Sequence, residues 1–439
     1  MAGGTPANPA TLAGLARADI LTLVARRTEL LALLLLMLAA CAQTASSPSH
    51  DLVLGAIYPL TGPQAQGGKE ELAGVQAALQ LAQSTGALKA SVRLQVVDAT
   101  TPQAASAAVD ELVRNYHVPA ILGTYGSTLS AAASARAEEL KTVYWETGAV
   151  ADPITAQRQY VFRTVATGSS LGRMAVTFTQ KVLIPKEMAS AAPRVVIVQV
   201  NDIYGRSVGG GEAELARELG IQVVDTIEYD PRVYDPESIA ARVASDRPDV
   251  LWDVSYLDDG VAIWQALLRQ KVPLKAAIGT SSAFCMPAFS QRLGAGSVGV
   301  FAADKPDAAI SPAALSPAGK ALLAQARSVY GSRNGGAEMT IPAVAGFVGG
   351  WTLFDSVLGH AAGPFTPDSI RSAALAVDVP VGDSINGGGV RFGSAGALDG
   401  GQNTRSAAVV GQWQAIGDMK IVYPPAYATG ALIGSPMTG

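Results

Sequence analysis

Histidine and cysteine are nearly missing: three histidines (His50, His117, His360) and two cysteines (Cys41, Cys285) stand among 439 residues, none closely spaced. So little material excludes a zinc cage, a disulfide framework or a histidine-based triad, and no cofactor is expected. Charge is scarce too, at 15% of residues, and the net value of -4 lacks the basic excess that offsets nucleic-acid phosphates. With no Lys/Arg cluster either, no nucleic-acid partner is expected. Apolar residues, by contrast, make up 49% of the chain, too many for a disordered protein and ample for two buried cores. The 46 glycines and 25 prolines are spread along the chain, as many tight connections require.

The amino terminus reads as a targeting segment, with Arg26 and Arg27 before an apolar run from Leu30 to Ala40, then Cys41 and the polar stretch QTASSPS. At roughly 1.5 Å per residue that run is about 16 Å long, too short for a hydrocarbon core of about 30 Å. Leu38-Ala39-Ala40-Cys41 resembles the lipobox of bacterial lipoproteins, whose cysteine takes a lipid and becomes the new amino terminus. The expectation is a signal peptide over 1–41 with Cys41 lipidated and a tether over 42–50. Two alternatives are an ordinary secretory signal and a twin-arginine signal, the latter opposed by Glu29 where an apolar residue belongs. Cys285 is then a small buried thiol.

From Asp51 onward, short apolar runs alternate with helical periodicity, the pattern of an α/β fold with parallel sheets. The run Leu52 to Ile57 predicts a strand covered on both faces, and Leu72, Val75 and Leu79 predict the helix after it. Strands are also expected around 92–96, 120–123 and 143–145, with a helix over 130–141. A second unit of the same plan follows Gly168, with helices and strands alternating to about 278. Gly209-Gly210-Gly211 reads as a helix-start region, lacking the lysine and spacing of a phosphate loop. Phe347, Trp351, Phe354 and Leu358 have the spacing of a core helix. Two such units facing each other create a cleft at the carboxyl ends of their sheets.

The segment Leu54-Gly55-Ala56-Ile57-Tyr58-Pro59-Leu60-Thr61-Gly62-Pro63 resembles the opening of the leucine/isoleucine/valine-binding proteins, the type I periplasmic binding proteins that feed ABC importers. Further matches follow in order at Asp98, Gly123–Ser127, Gly148–Val150, Asn201–Gly205, Gln412-Trp413 and Val422–Pro425, so the resemblance spans Asp51 to Ala431. It implies two doubly wound, Rossmann-like α/β lobes joined by three hinge crossings, near Val165–Gly168, Phe301–Pro306 and Gly393–Asp399. Lobe I would then be 51–167 plus 306–395, lobe II 168–305 plus 396–430, and 431–439 a tail. A small amino acid, amide or carboxylate would be captured by lobe closure. ABC permease and ATPase subunits would be partners, as would the membrane through the lipid anchor, with no enzymatic activity.

By the same resemblance, Ser127 stands where a serine binds the ligand carboxylate, beside Thr128, at a helix start whose N–H groups favour an anion. Gly148, Ala149 and Val150 match a segment of backbone contacts, with Val150 in place of a threonine. Tyr204 and Tyr256 match tyrosines that cover the ligand. Thr280 and Ser281 fall where the acid that holds an α-ammonium is expected, and an aromatic of the first loop is replaced by Gly67. A buried ammonium needs a counter-charge, for which Glu146 and Asp202 are the candidate substitutes. Two rival readings are a ligand-sensing receptor subunit and a periplasmic hydrolase, although neither His117 nor His360 is placed to activate a serine.

Overall fold

The computed structural model describes residues 1–4, 51–187, 192–361, 363–394, 397 and 400–434. The expected signal peptide, Cys41 and the tether lie outside the described residues, apart from the first four. The unit Asp51–Gly439 is treated by itself below.

Its first sheet takes the order β2-β1-β3-β4-β5, with β1 Leu52–Tyr58, β2 Val92–Asp98, β3 Ala120–Gly123, β4 Val143–Glu146 and β5 Val161–Arg163. All its pairings are parallel. The strands are apolar almost throughout because helices cover both faces, with one core on each side of the sheet. Helix α1 (Ala65–Thr85) covers one face; α2 (Pro102–Tyr116) and α3 (Ser127–Glu139) cover the other. The second sheet is built from β6 Arg194–Val200, β7 Gln222–Tyr229, β8 Val250–Val254, β9 Ala276–Thr280 and β10 Phe301–Asp304, all parallel. Two antiparallel strands, β11 Val409–Ala415 and β12 Asp418–Tyr423, extend it beyond β10. Helices α4 (Gly168–Phe178), α5 (Ile203–Leu219), α6 (Pro236–Asp246) and α7 (Leu257–Arg269) sandwich this sheet. The fold is the expected pair of α/β lobes.

Residues 317–375 return to lobe I as α8 (Pro317–Arg333), α9 (Ile341–Trp351) and α10 (Pro367–Leu375). The stretch Ile341–Leu358 is long and apolar enough to cross a membrane, yet 83% of it is buried inside the protein, as befits a core helix. It meets α1 backbone to backbone: a Cβ on Gly74 would lie 2.0 Å from the Ala343 carbonyl oxygen, and one on Gly346 2.0 Å from that of Glu71. This close approach brings Glu71 into the interior.

Three expectations need correction. Helix α3 begins at Ser127, three residues before the expected start, so Ser127 is its first residue and Gly126 its cap. Gly209-Gly210-Gly211 is in the middle of α5, not at its start, because Gly211 lets α4 pack closely; a Cβ there would sit 2.3 Å from the Ser169 oxygen. The third crossing comes later than 393–399. Gly401 and Asn403 still pair with the edge of lobe I, the Arg163 N–H donating to Gly401 O (2.8 Å) and the Asn403 N–H to Arg163 O (2.9 Å). The short edge strand β5 needs that partner for its backbone groups.

Candidate functional site

The carboxyl ends of both sheets face a cavity between the lobes. Lobe I contributes Glu71, Tyr125, Ser127, Gly148, Ala149 and Val150, with Ile341 and Pro342 from the start of α9. Lobe II contributes Tyr204, Tyr256, Ser281, Ser282, Cys285, Asp304 and Lys305. A second, outer chamber shares Tyr256 with it, and Thr128 and Asp202 form part of its wall.

Sequence reasoning therefore places Ser127, Gly148, Ala149, Val150, Tyr204, Tyr256 and Ser281 on one cavity. Thr128 and Asp202 belong to the outer chamber instead. Thr280 turns away and gives its hydroxyl to Glu212 at 3.1 Å, and Glu146 is buried behind the wall. Sequence reasoning missed Glu71, Tyr125, Ser282, Cys285, Asp304, Lys305, Ile341 and Pro342. One signal for Glu71 was present, since Glu71, Val75, Ala78 and Ala82 have helical spacing and put a carboxyl on the apolar stripe of α1.

The floor of lobe I is a loop held by two buried charges. Glu146 accepts the N–H groups of Thr124 (3.0 Å), Gly148 (2.7 Å) and Ala149 (2.7 Å), and the hydroxyls of Ser130 and Tyr144. It is thereby excluded as a direct ligand partner, and the Gly148 and Ala149 N–H groups are spent on it. Burial pushes its carboxyl up to about 7 despite these bonds. Arg163, fully buried, donates to Ala151 O (2.6 Å) and Gln402 Oε1 (2.6 Å), fixing the loop to the 400–403 segment. Burial lowers this guanidinium to about 10. The Ser127 hydroxyl accepts the Ala151 N–H at 3.2 Å, so its own proton is left to donate at the start of α3. No side chain caps the start of this helix.

Across the cavity, lobe II presents ring faces. Tyr204 and Tyr256 lie 5.2 Å apart between centroids, with their hydroxyls bound to Thr280 O (2.5 Å) and Asp202 Oδ2 (2.6 Å) respectively. Asp202 caps α5 through the Tyr204 and Gly205 N–H groups (both 2.9 Å) and also receives the Thr128 hydroxyl of lobe I at 3.4 Å. Further bonds join the lobes, among them Tyr125 with Ser282 (3.3 Å between hydroxyls), the Asp152 N–H with Ser207 Oγ (3.1 Å) and the Ser169 N–H with Asp152 Oδ1 (3.1 Å). The lobes are thus closed on one another. The aromatic absent at Gly67 is replaced by Tyr125, whose ring covers the space a Gly67 Cβ would enter at 2.3 Å.

No carboxylate occurs within 280–282, but one stands beside it. The Ser281 N–H bonds Ala303 O at 2.9 Å, which sets Asp304 next to Ser281 on the adjoining strand. Lys305 Nζ holds Asp304 Oδ1 at 3.0 Å and lies 3.5 Å from the Ser281 hydroxyl. Burial works to lower this ammonium, but Asp304 and the neighbouring groups keep it above its ordinary value. The Cys285 thiol, pushed up by burial and by the Asp304 charge, leans toward Ser282 O at 3.7 Å. Among the described residues no group of three or more His, Cys, Asp or Glu side chains is arranged to hold a metal.

The chain matches the periplasmic binding protein family over residues 52–415. It is similar to Leu/Ile/Val-binding protein homolog 8 of Brucella abortus (strain 2308), 29% identical over 383 residues that cover 85% of this chain and 91% of that one. Among solved structures it is similar to a branched-chain amino acid transporter substrate-binding protein from Streptococcus pneumoniae in complex with isoleucine. There the TM-score is 0.69 at 17% identity, with 85% of this chain and all of the other covered. A solute-binding protein from R. palustris in complex with benzoate gives a TM-score of 0.67 at 18% identity, covering 88% and 98% of the two chains. At such identities these two structures share a fold with the chain.

Proposed function

This chain belongs to the periplasmic binding protein family, and from that premise we propose that it is the extracytoplasmic solute-binding component of an ABC importer, capturing a branched-chain amino acid or a related small amide or carboxylate. The observation that carries the proposal is the cavity closed between two lobes, lined from both sides and bridged by polar contacts from one lobe to the other. Its chemistry suits binding: an anion is met by the Ser127 hydroxyl and the start of α3, and an aliphatic group by the rings of Tyr204 and Tyr256 beside Val150 and Ile341. Closure about hinge segments would present the loaded form to the permease and ATPase. Lipidation at Cys41 would keep the carrier at the membrane, and Cys41→Ser should release it into the soluble fraction.

The test is a thermal-shift and calorimetric screen of the soluble chain from Ala42 onward against amino acids, amides and small carboxylates. A bound solute at 100 times its Kd should stabilise by about 2.7 kcal/mol, with one solute per chain and no turnover. Silence across the panel, or product formation, would overturn the proposal.

A further inference from the structure

A line of hydrogen bonds leads from the cavity wall to the segments that join the lobes. The Ser127 hydroxyl accepts the Ala151 N–H at 3.2 Å, which leaves its proton for a solute. On the other side of the same residue, Ala151 O accepts the Arg163 guanidinium at 2.6 Å. Arg163 Nε donates in turn to Gln402 Oε1 at 2.6 Å, and Gln402 Nε2 donates to Val165 O, on the first crossing, at 2.8 Å. The neighbouring Asn403 Nδ2 holds Thr164 O at 2.8 Å. Neither Arg163 nor Gln402 lines the cavity.

Two features set Arg163 apart from a side chain that merely fills space. It is fully buried on neutral acceptors alone, with the Thr155 hydroxyl at 3.4 Å and Ala149 O at 3.5 Å completing the set. Such burial is unfavourable for stability, whereas a rigid fork of donors is well suited to hold two acceptors at a fixed angle. The loop that it grips also leans on lobe II: Val150 O accepts the Gly168 N–H at 2.6 Å, and the Val150 side chain packs in that lobe's core. Asp152 takes the Ser169 N–H and gives its own to Ser207 Oγ, both at 3.1 Å.

We propose that Arg163 is a positioning residue that ties solute capture to lobe closure, acting on the solute only through Ala151 and Ser127. Rotation of the lobes redirects the chain at 164–168 and after 403. Gln402 moves with those segments, Arg163 follows Gln402, and the peptide at Ala151 supports Ser127 fully in one setting of the hinge. A solute held at Ser127 favours that same setting, because the coupling of two linked equilibria is reciprocal. The inference rests on the solute-binding reading above and concerns how that site is governed. Lysine cannot stand in for Arg163, since one ammonium lacks the fork that spans Ala151 O and Gln402 Oε1.

The soluble chain from Ala42 onward is compared as wild type, Arg163→Lys, Gln402→Met, Ser127→Ala and the double variant of the last two. The probes are leucine, leucinamide, benzoate and any further binder from the panel above. Isothermal titration gives affinity, and small-angle scattering at saturating probe gives the separation of the lobes. Arg163→Lys and Gln402→Met should each lose about tenfold in affinity, equally for every probe that binds. With probe bound they should stay partly open where the wild type closes, which a loss of folding stability alone does not produce. The double variant should lose less than the product of the two single losses, as groups on one connected line do. Should Arg163→Lys fail to fold, Gln402→Met carries the same test from outside the cavity. Unchanged affinity, full closure of both variants at saturation, or independent losses in the double variant would overturn the coupling and leave solute binding intact. A wild type that binds nothing in the wider panel would overturn the solute-binding reading itself.

Discussion

Each lobe buries carboxyl groups behind its side of the cleft, and the two lobes do so differently. In lobe I, Glu146 is surrounded by donors, and its two oxygens hold three backbone N–H groups and two hydroxyls. In lobe II, Glu212 receives the Thr280 hydroxyl and Asp253 the Ser255 hydroxyl, while the second oxygen of each has no partner. Burial pushes both of the latter to about 8. A carboxyl can be buried by saturating it with hydrogen bonds or by leaving its proton on. The first solution organises the loop that lines the cavity; the second fills space behind β9 and adds sensitivity to alkali.

The largest expected effect comes from breaking the saturated side. Glu146→Ala strands the Gly148 and Ala149 N–H groups in the interior and should cost about 3 kcal/mol or more in urea unfolding. Solute affinity should fall with it, and a loss below about 1 kcal/mol would mean that the loop holds itself. Next comes the protonated side. Glu212 and Asp253 keep their protons in the folded protein up to about pH 8, whereas the unfolded chain releases them near pH 4. The folded state binds more protons across that window, so each group lowers stability as pH rises from about 4 to 8. Glu212→Gln should gain on the wild type over this range, on the order of 2 kcal/mol at pH 8. Glu146 is raised only to about 7, so the pH-dependent gain of Glu146→Gln should end about one unit lower and be outweighed by the loss of an acceptor oxygen for its N–H donors, and identical pH profiles for the two variants would erase the contrast.

Smaller effects test how the lobes meet. Tyr256→Phe removes the bond to Asp202 and should weaken solute binding about fivefold, read by calorimetry as roughly 1 kcal/mol. Thr128→Val removes only the 3.4 Å contact to the same carboxylate and should change Kd by less than about twofold. If Thr128→Val had the larger effect, Asp202 would act as a bridge between lobes more than as a support for Tyr256.

The alternation of strands and helices and the order of the cleft loops could be read in the sequence, because parallel strands buried on both faces are apolar runs whose carboxyl ends are fixed by chain order. Ser127, Gly148 and Tyr204 came instead from the resemblance to the binding-protein family, whose motifs fall on those loops. What escaped was anything decided by packing between distant segments. Glu71, in the sequence KEEL, reads as surface charge until α9 comes down on Gly74 and encloses it. Asp304 looked like the end of a strand, and its place beside Ser281 depends on register between β9 and β10. The third crossing was misplaced because residues 400–403 carry no apolar pattern and are fixed by pairing with Arg163.

Two unpartnered oxygens in the cavity wall, one on Glu71 and one on Asp304, bear on what an importer can be told. Shutting the lobes on nothing leaves Glu71 Oε2 and Asp304 Oδ2 dry, an unfavourable state that only the right solute relieves. Polar contacts such as Tyr125 with Ser282 pull toward closure whether or not a solute is present. Set against that pull, the unmet carboxyls guard against a false report. They would add to the cost of the closed shape in the unloaded carrier, so that a permease which responds to shape would respond to cargo.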